Sequence, residues 1–260
     1  MKNFIFFIGL FISIQTYSQT YKLVWSDEFN GKGALDPSKW DYELGYIRND
    51  ELQYYTKRKS NARQYKGNLE ITVRKEQLKG TKGGKQENFY YSSGSIITLN
   101  KVDFTYGKVE GRFKMPQGKG LWACFWTLGS NITQIGWPKC GEIDIFEHIN
   151  SEKLIHGTAH WADDLEKHVM KGGDSKEIDV TEWHNYSIVW TSTSIKWYVD
   201  DVQFHEFSIL DGVNSTQEFH KPHYILINLP IGGSWPGSPD EKTVLPATIY
   251  CDYVRVYKLL

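Results

Sequence analysis

From Tyr21 onward the chain alternates short β-branched or aromatic runs with Gly, Pro, Asn and Asp, and no long stretch keeps a helical period. This constrains the fold more than any other feature. Candidate strands cover residues 21–25, 68–74, 93–99, 106–115, 121–128, 142–148, 155–161, 184–190, 194–199, 202–207, 224–229 and 248–257. Thr191-Ser192-Thr193 and Asp200-Asp201 read as hairpin turns that make a meander of the region between 186 and 207. Two Gly- and Lys-rich stretches, 79–88 and 162–176, read as exposed loops, and short helical turns fit near 37–40 or 50–54. So many strands without helices imply an all-β protein. A length of 260 residues suits one large sandwich. The expectation is a β-jelly-roll sandwich of two curved antiparallel sheets, in a single domain over residues 20–260.

Residues 1–19 stand apart. Lys2 gives a short positive start, residues 4–14 are apolar but too few to span a bilayer, and Thr16, Ser18 and Gln19 suit a cleavage site. The segment reads as a signal peptide, which makes the protein secreted or periplasmic and free of the membrane after cleavage. Cys124, Cys140 and Cys251 each lie in an apolar or aromatic stretch, so buried free thiols are expected rather than a zinc site. A formal net charge of −1 without a long basic run argues against nucleic acid as partner. Ten Trp are more than packing usually asks for, and Trp and Tyr faces suit sugar rings.

The run Gly141-Glu142-Ile143-Asp144-Ile145-Phe146-Glu147-His148 carries the chemistry. In a regular strand Glu142 and Asp144 share one face while Ile143 and Ile145 enter the core. Glu147 is out of phase. One extra residue, a β-bulge at Ile145–Phe146, returns it to the acidic face. Three acids this close repel and resist burial, so stability alone would not select them. Charged guarding of an edge strand is the plain alternative, but Lys is the usual guard and none is present. Two carboxyls flanking a sugar–sugar bond are the equipment of a glycosidase. Side chains converging to about 5–5.5 Å give retention of configuration.

The run resembles the active-site strand of glycoside hydrolase family 16 in its bulged, laminarinase-like form. Further matches follow in order along the chain: LVWSDEF at 23–29, ELQYYT at 51–56, YGKVEGR at 106–112, WACFW at 122–126, GGSWPG at 232–237 and DYVRVY at 252–257. The resemblance implies a jelly roll with an open concave substrate cleft, Glu142 as nucleophile, Asp144 as its assistant and Glu147 as general acid/base. It also implies His160 near the nucleophile, where a plain structural His is the alternative. Trp122, Trp126, Trp137 and Trp235 are candidates for sugar contact, Trp126 being equally readable as core. Trp190 and Trp197 fit either packing or the outer cleft. The resemblance implies Asn49 as a sugar-binding amide, with Arg48 acting beside it or standing as a solvated surface Arg.

Two features depart from the family. Ser93-Gly94-Ser95 lacks the Arg usual at its third position, so a substrate-gripping cation is missing or supplied from elsewhere. His148-Ile149-Asn150 replaces the more common Tyr-Gly ending. A structural calcium is implied at Asp252 with the Gly67 carbonyl, although Asp252 pairing with Arg255 or Lys258 reads as well. No catalytic cofactor is expected. The leading expectation is a monomeric endo-acting retaining β-glucanase on β-1,3-glucan. Mixed-linkage β-1,3-1,4-glucan is the nearest alternative, ahead of a galactan. The bulged spacing disfavours a transglycosylase, and three retained acids disfavour a non-catalytic carbohydrate-binding module.

Overall fold

The computed structural model describes residues 20–210 and 215–260; the expected signal segment, residues 1–19, lies outside the described residues. Seventeen strands occur among the described residues. They are β1 (Tyr21–Asp27), β2 (Asp41–Tyr42), β3 (Gln53–Tyr55), β4 (Ala62–Tyr65), β5 (Asn68–Lys82), β6 (Lys85–Ser93), β7 (Ser95–Ile97), β8 (Gly107–Lys114) and β9 (Trp122–Gly129). After the four-residue helix α1 (Ile132–Ile135) come β10 (Glu142–Ile149), β11 (His156–Ala162), β12 (His168–Asp174), β13 (His184–Trp190), β14 (Ser194–Val199), β15 (Val202–Ser208), β16 (His223–Asn228) and β17 (Ala247–Leu259).

The strands form two sheets. One runs β15-β14-β13-β8-β17-β5-β6-β3, with β1 on β17 and β4 on β5; the other runs β12-β11-β10-β9-β16-β7-β2. Pairing is antiparallel except between β3 and β6, which are parallel. The expected two-sheet all-β sandwich is the observed one, with that single parallel edge as a correction. Asp200 and Asp201, both at positive φ, make the tight turn between β14 and β15.

Both stretches expected as loops are hairpins. β5 continues to Lys82, turns at Gly83-Gly84 with positive φ, and returns as β6. Residues 162–176 hold the turn from β11 into β12. Within residues 79–88 and 163–174 the chain is mostly exposed, so ladder hydrogen bonds rather than an apolar alternation hold these segments, and a reading based on apolar period passes over them. Residues 53–55 form β3 rather than a helical turn, whereas Lys39 and Trp40 do close one turn on the Asp36 carbonyl.

The core lies between the sheets. Ile143, Ile145 and Phe146 of β10 are fully buried in it, and Phe146 packs at ring distances of 5.0 Å from Phe113 and 4.6 Å from Tyr186. Trp190 and Trp197 are fully buried in the same core, which settles them as packing residues. A second cluster covers the outer face of the seven-stranded sheet: Trp122, Cys124, Trp126, Leu128, Cys140, Ile149, Tyr224 and Leu226. All three cysteines are buried free thiols. Among the described residues no helix is long and apolar enough to cross a membrane.

Candidate active site

The register of β10 changes within the acidic run. Asp144 faces Trp126 on β9, and the next paired residue, Phe146, faces Phe125; Ile145 is the extra residue. On the other side Asp144 pairs with Thr158 and Glu147 with His156, across the same irregularity. This is a β-bulge at the expected place, and it sends Ile145 and Phe146 both into the core.

Residues opposite one another in an antiparallel sheet share a face, so the register defines three rows across the acidic surface. The first runs Tyr224, Leu128, Glu142, His160, Met170. The second runs Ile97, Leu226, Trp126, Asp144, Thr158, Gly172. The third runs Ser95, Asn228, Cys124, Glu147, His156, Asp174. The bulge is what puts Glu147 into the third row.

Asp144, 1% exposed, is the most enclosed of the three acids. Its Oδ2 lies 3.2 Å from His160 Nε2, and Asp144 and Glu142 hold carboxylate oxygens within 4.8 Å of each other. Glu142 accepts a hydrogen bond from Trp137 Nε1 (2.5 Å), and Glu147 accepts one from Trp122 Nε1 (2.9 Å). Burial, with the negative charge of Asp144, pushes the Glu142 carboxyl up to about 8. Burial, with the charges of Asp144 and Glu142, holds Glu147 well above the usual carboxylate range. Two groups oppose the rise at Glu142, the His160 charge and the Trp137 indole, whereas only the Trp122 indole opposes it at Glu147. Ionisation is therefore penalised less at Glu142 than at Glu147, the order that a nucleophile and a general acid require. Burial works against charge on His160, but the hydrogen bond and charge of Asp144 outweigh it and raise its pKa.

The tryptophans divide into floor and rim. Trp122 and Trp126 are 8% and 7% exposed and form the floor. Trp126 donates to Asn228 Oδ1 (2.8 Å) and carries the Arg48 guanidinium 5.0 Å above its ring, so Arg48 covers it. Trp137 and Trp235, 49% and 43% exposed, stand at the rim, and Trp235 meets Trp122 edge-on at 5.6 Å. Asn49 adopts positive φ and its carbonyl accepts from Ser234 N (3.0 Å), tying its turn to the loop that bears Trp235. Arg48 is paired with Glu43, whose other oxygen accepts from Ser95 Oγ (2.7 Å). A cation thus reaches the neighbourhood of Ser95 from a different segment of chain.

Sequence reading missed several residues of this surface. His156, His168, Asn228 and Glu43 all join it through β11, β12, β16 and the β2–β3 connection. The one available signal was Asn228, a lone amide ending the apolar run of β16. His148 points away from the cleft and bonds the Glu152 carbonyl.

A carboxylate oxygen of Glu142, one of Asp144 and a ring nitrogen of His160 lie within 4.8 Å of one another. The residues expected to hold calcium are on the other sheet. Asp252 Oδ2 accepts from Arg112 Nη1 (2.8 Å), a partner other than Arg255 or Lys258, the pairing weighed as the alternative to calcium, and Arg255 pairs with Glu28. Gly67 lies in the β4–β5 turn at φ +77°.

Residues 49–255 match the sequence profile of Glycosyl hydrolases family 16. The chain belongs to that family. The beta-glucanase of Rhodothermus marinus is 36% identical over 92% of this chain and 85% of its own length. The keratan-sulfate endo-1,4-beta-galactosidase of Sphingobacterium multivorum is 33% identical over 92% of this chain and 56% of its own. The crystal structure of the endo-beta-1,3-glucanase from Pyrococcus furiosus superposes with a TM-score of 0.83 at 39% identity, covering 95% of this chain and 98% of that one. The chain spans only 35% and 38% of the length of two further curated relatives.

Proposed function

We propose that this protein is an exported, monomeric, endo-acting β-glucanase that hydrolyses internal bonds of β-1,3-glucan with retention of configuration. Glu142 attacks the anomeric carbon while Glu147 protonates the departing glycosidic oxygen. Glu147 then takes a proton from water, which displaces Glu142 and restores both groups. Asp144 and His160 hold Glu142, and the rim and floor tryptophans with Asn49 contact the chain of sugars. The scheme uses two carboxyls and water and requires no cofactor.

The observation that carries this reading is the bulge at Ile145, which turns Glu147 onto the face of Glu142 and gives the two glutamates different partners. The endo-β-1,3-glucanase of Pyrococcus furiosus, alike over nearly the whole chain, supports the substrate. A panel of laminarin, lichenan, barley glucan and agarose, with Glu142→Gln as control, tests it. Short laminari-oligosaccharides released from laminarin by wild type and not by the variant are the expected result. Turnover of laminarin by Glu142→Gln at wild-type rate would overturn the assignment.

Mixed-linkage glucan is the nearest alternative, and a relative described as endo-1,3-1,4-beta-glycanase stands behind it. A β-galactoside backbone is a second reading, favoured by Ser95 and the Arg48–Glu43 pair, which replace the usual cation of the cleft, and by the Sphingobacterium multivorum relative. Release of oligosaccharides from keratan sulfate but not laminarin would select it.

Calcium at Asp252 and the Gly67 carbonyl is proposed as a structural ion only. The fit is partial, because Arg112 already occupies one carboxylate oxygen and backbone carbonyls and water would supply most ligands. Chelation is expected to lower the melting temperature while leaving the initial rate unchanged; an unchanged melt counts against the ion.

A further inference from the structure

Side chains from three strands and a loop close a ring around Glu142. Trp137 donates to Glu142, and its ring centre lies 4.5 Å from that of His168. His168 Nε2 is 2.9 Å from His160 Nδ1, with the two imidazoles stacked 5.2 Å apart at 18°. His160 reaches Asp144, whose carboxylate lies within 4.8 Å of that of Glu142 and closes the ring by proximity. The ring is latched from outside: Lys139 Nζ, two residues after Trp137, lies 2.6 Å from Glu166 Oε1, two residues before His168. Asp163 Oδ1 accepts the amides of Leu165 and Lys167, which shapes the turn that starts β12 at His168.

We propose that His168 is a positioning residue for the reaction, setting the tautomer and charge of His160 and, through it, the placement of Asp144 and Glu142. The inference rests on the reading of Glu142 as nucleophile. His160 Nε2 lies at ion-pair distance, 3.2 Å, from the Asp144 carboxylate, which places a proton on that nitrogen. His168 then serves both charge states of His160. When His160 is an imidazolium, its Nδ1–H donates to His168 Nε2. When His160 is neutral, His168 turns donor through Nε2–H, and the Nε2–H of His160 still faces Asp144. The hydrogen bond survives both states, so the imidazole plane never swings away from Asp144.

The ionisable groups facing His160 are Glu142 and Asp144 from β10 and His168 from β12; Lys139 and Glu166 neutralise each other at the rim. Burial and the nearby His160 charge lower the pKa of His168. His168 therefore stays neutral, an acceptor, while His160 is charged. The bond to the imidazolium is charge-assisted and stronger than the bond to the neutral ring, so His168 favours the cation and removing it lowers the pKa of His160.

The test is the imidazole nitrogen NMR titration of His160, alongside kcat/KM against pH on laminarin, for wild type, His168→Ala and His168→Gln. His168→Ala is expected to lower the His160 midpoint and to reduce kcat/KM about tenfold on the alkaline side of the optimum, the loss of one charge-assisted hydrogen bond. His168→Gln, whose amide oxygen can accept from Nδ1–H, is expected to restore both. Unchanged titration of His160 in folded His168→Ala overturns the proposal, as does a Gln variant no better than Ala. The NMR arm needs no turnover, so it stands even if laminarin proves not to be a substrate.

Discussion

Asp144 is the side chain on which both glutamates depend. Its carboxylate, almost wholly buried, raises the pKa of Glu142 and of Glu147, and it holds His160. Asp144→Asn removes that negative charge while keeping the shape. Both glutamates then lose a proton more readily, so both limbs of the kcat/KM profile should move to lower pH. The rate at the optimum should fall by at least tenfold as His160 loses its ion-pair partner. A pH–rate profile of the variant checks this, and limbs moving to higher pH would contradict the electrostatics.

At the scale of the element, β10 works because its bulge is supported from below. The extra residue disturbs the ladder at Asp144, and Trp197 Nε1, reaching across the sandwich from β14, donates to the Asp144 carbonyl at 2.7 Å. Trp197→Phe keeps most of the packing and leaves that carbonyl without its indole donor. The expected cost is about 1–3 kcal/mol of stability, measurable by denaturant unfolding, with kcat lowered as well. A variant as stable and as active as wild type would show that the bulge holds without Trp197. The bulge itself was legible in the sequence, because Glu147 lies an odd number of residues from Glu142 and only an inserted residue reconciles that with the apolar phase of Ile143 and Ile145. The exposed hairpins were not. Residues 75–82, 85–88 and 168–174 bury little, so backbone pairing decides their structure and leaves no apolar period to read. His168 was hidden for that reason, and the Arg48–Glu43–Ser95 contact because it joins positions far apart in sequence.

At the scale of the whole molecule, the active face stores a stability cost. Burial and the Asp144 charge push the Glu142 carboxyl up to about 8 in the folded chain, from an ordinary value of 4.5. A carboxyl with a raised folded pKa binds its proton more tightly in the native state. Its contribution is fully present below the unfolded pKa and lost as pH rises through the folded one. Wild type should therefore lose stability between about pH 5 and 8 through this group. Glu142→Gln should melt several degrees higher than wild type at pH 8, at roughly 2–4 °C per kcal/mol, and close to it at pH 4. An equal difference at both pH values would mean that the gain has another source. The same two-sheet scaffold serves catalysis only if Glu142 and Glu147 act from opposite sides of one bond at the separation that permits a covalent intermediate. Proton NMR of laminarin cleavage, followed from the first turnovers, measures that directly. Newly formed reducing ends should appear first as the β-anomer and only later mutarotate, whereas α-anomer appearing first would contradict the double displacement by Glu142 and Glu147.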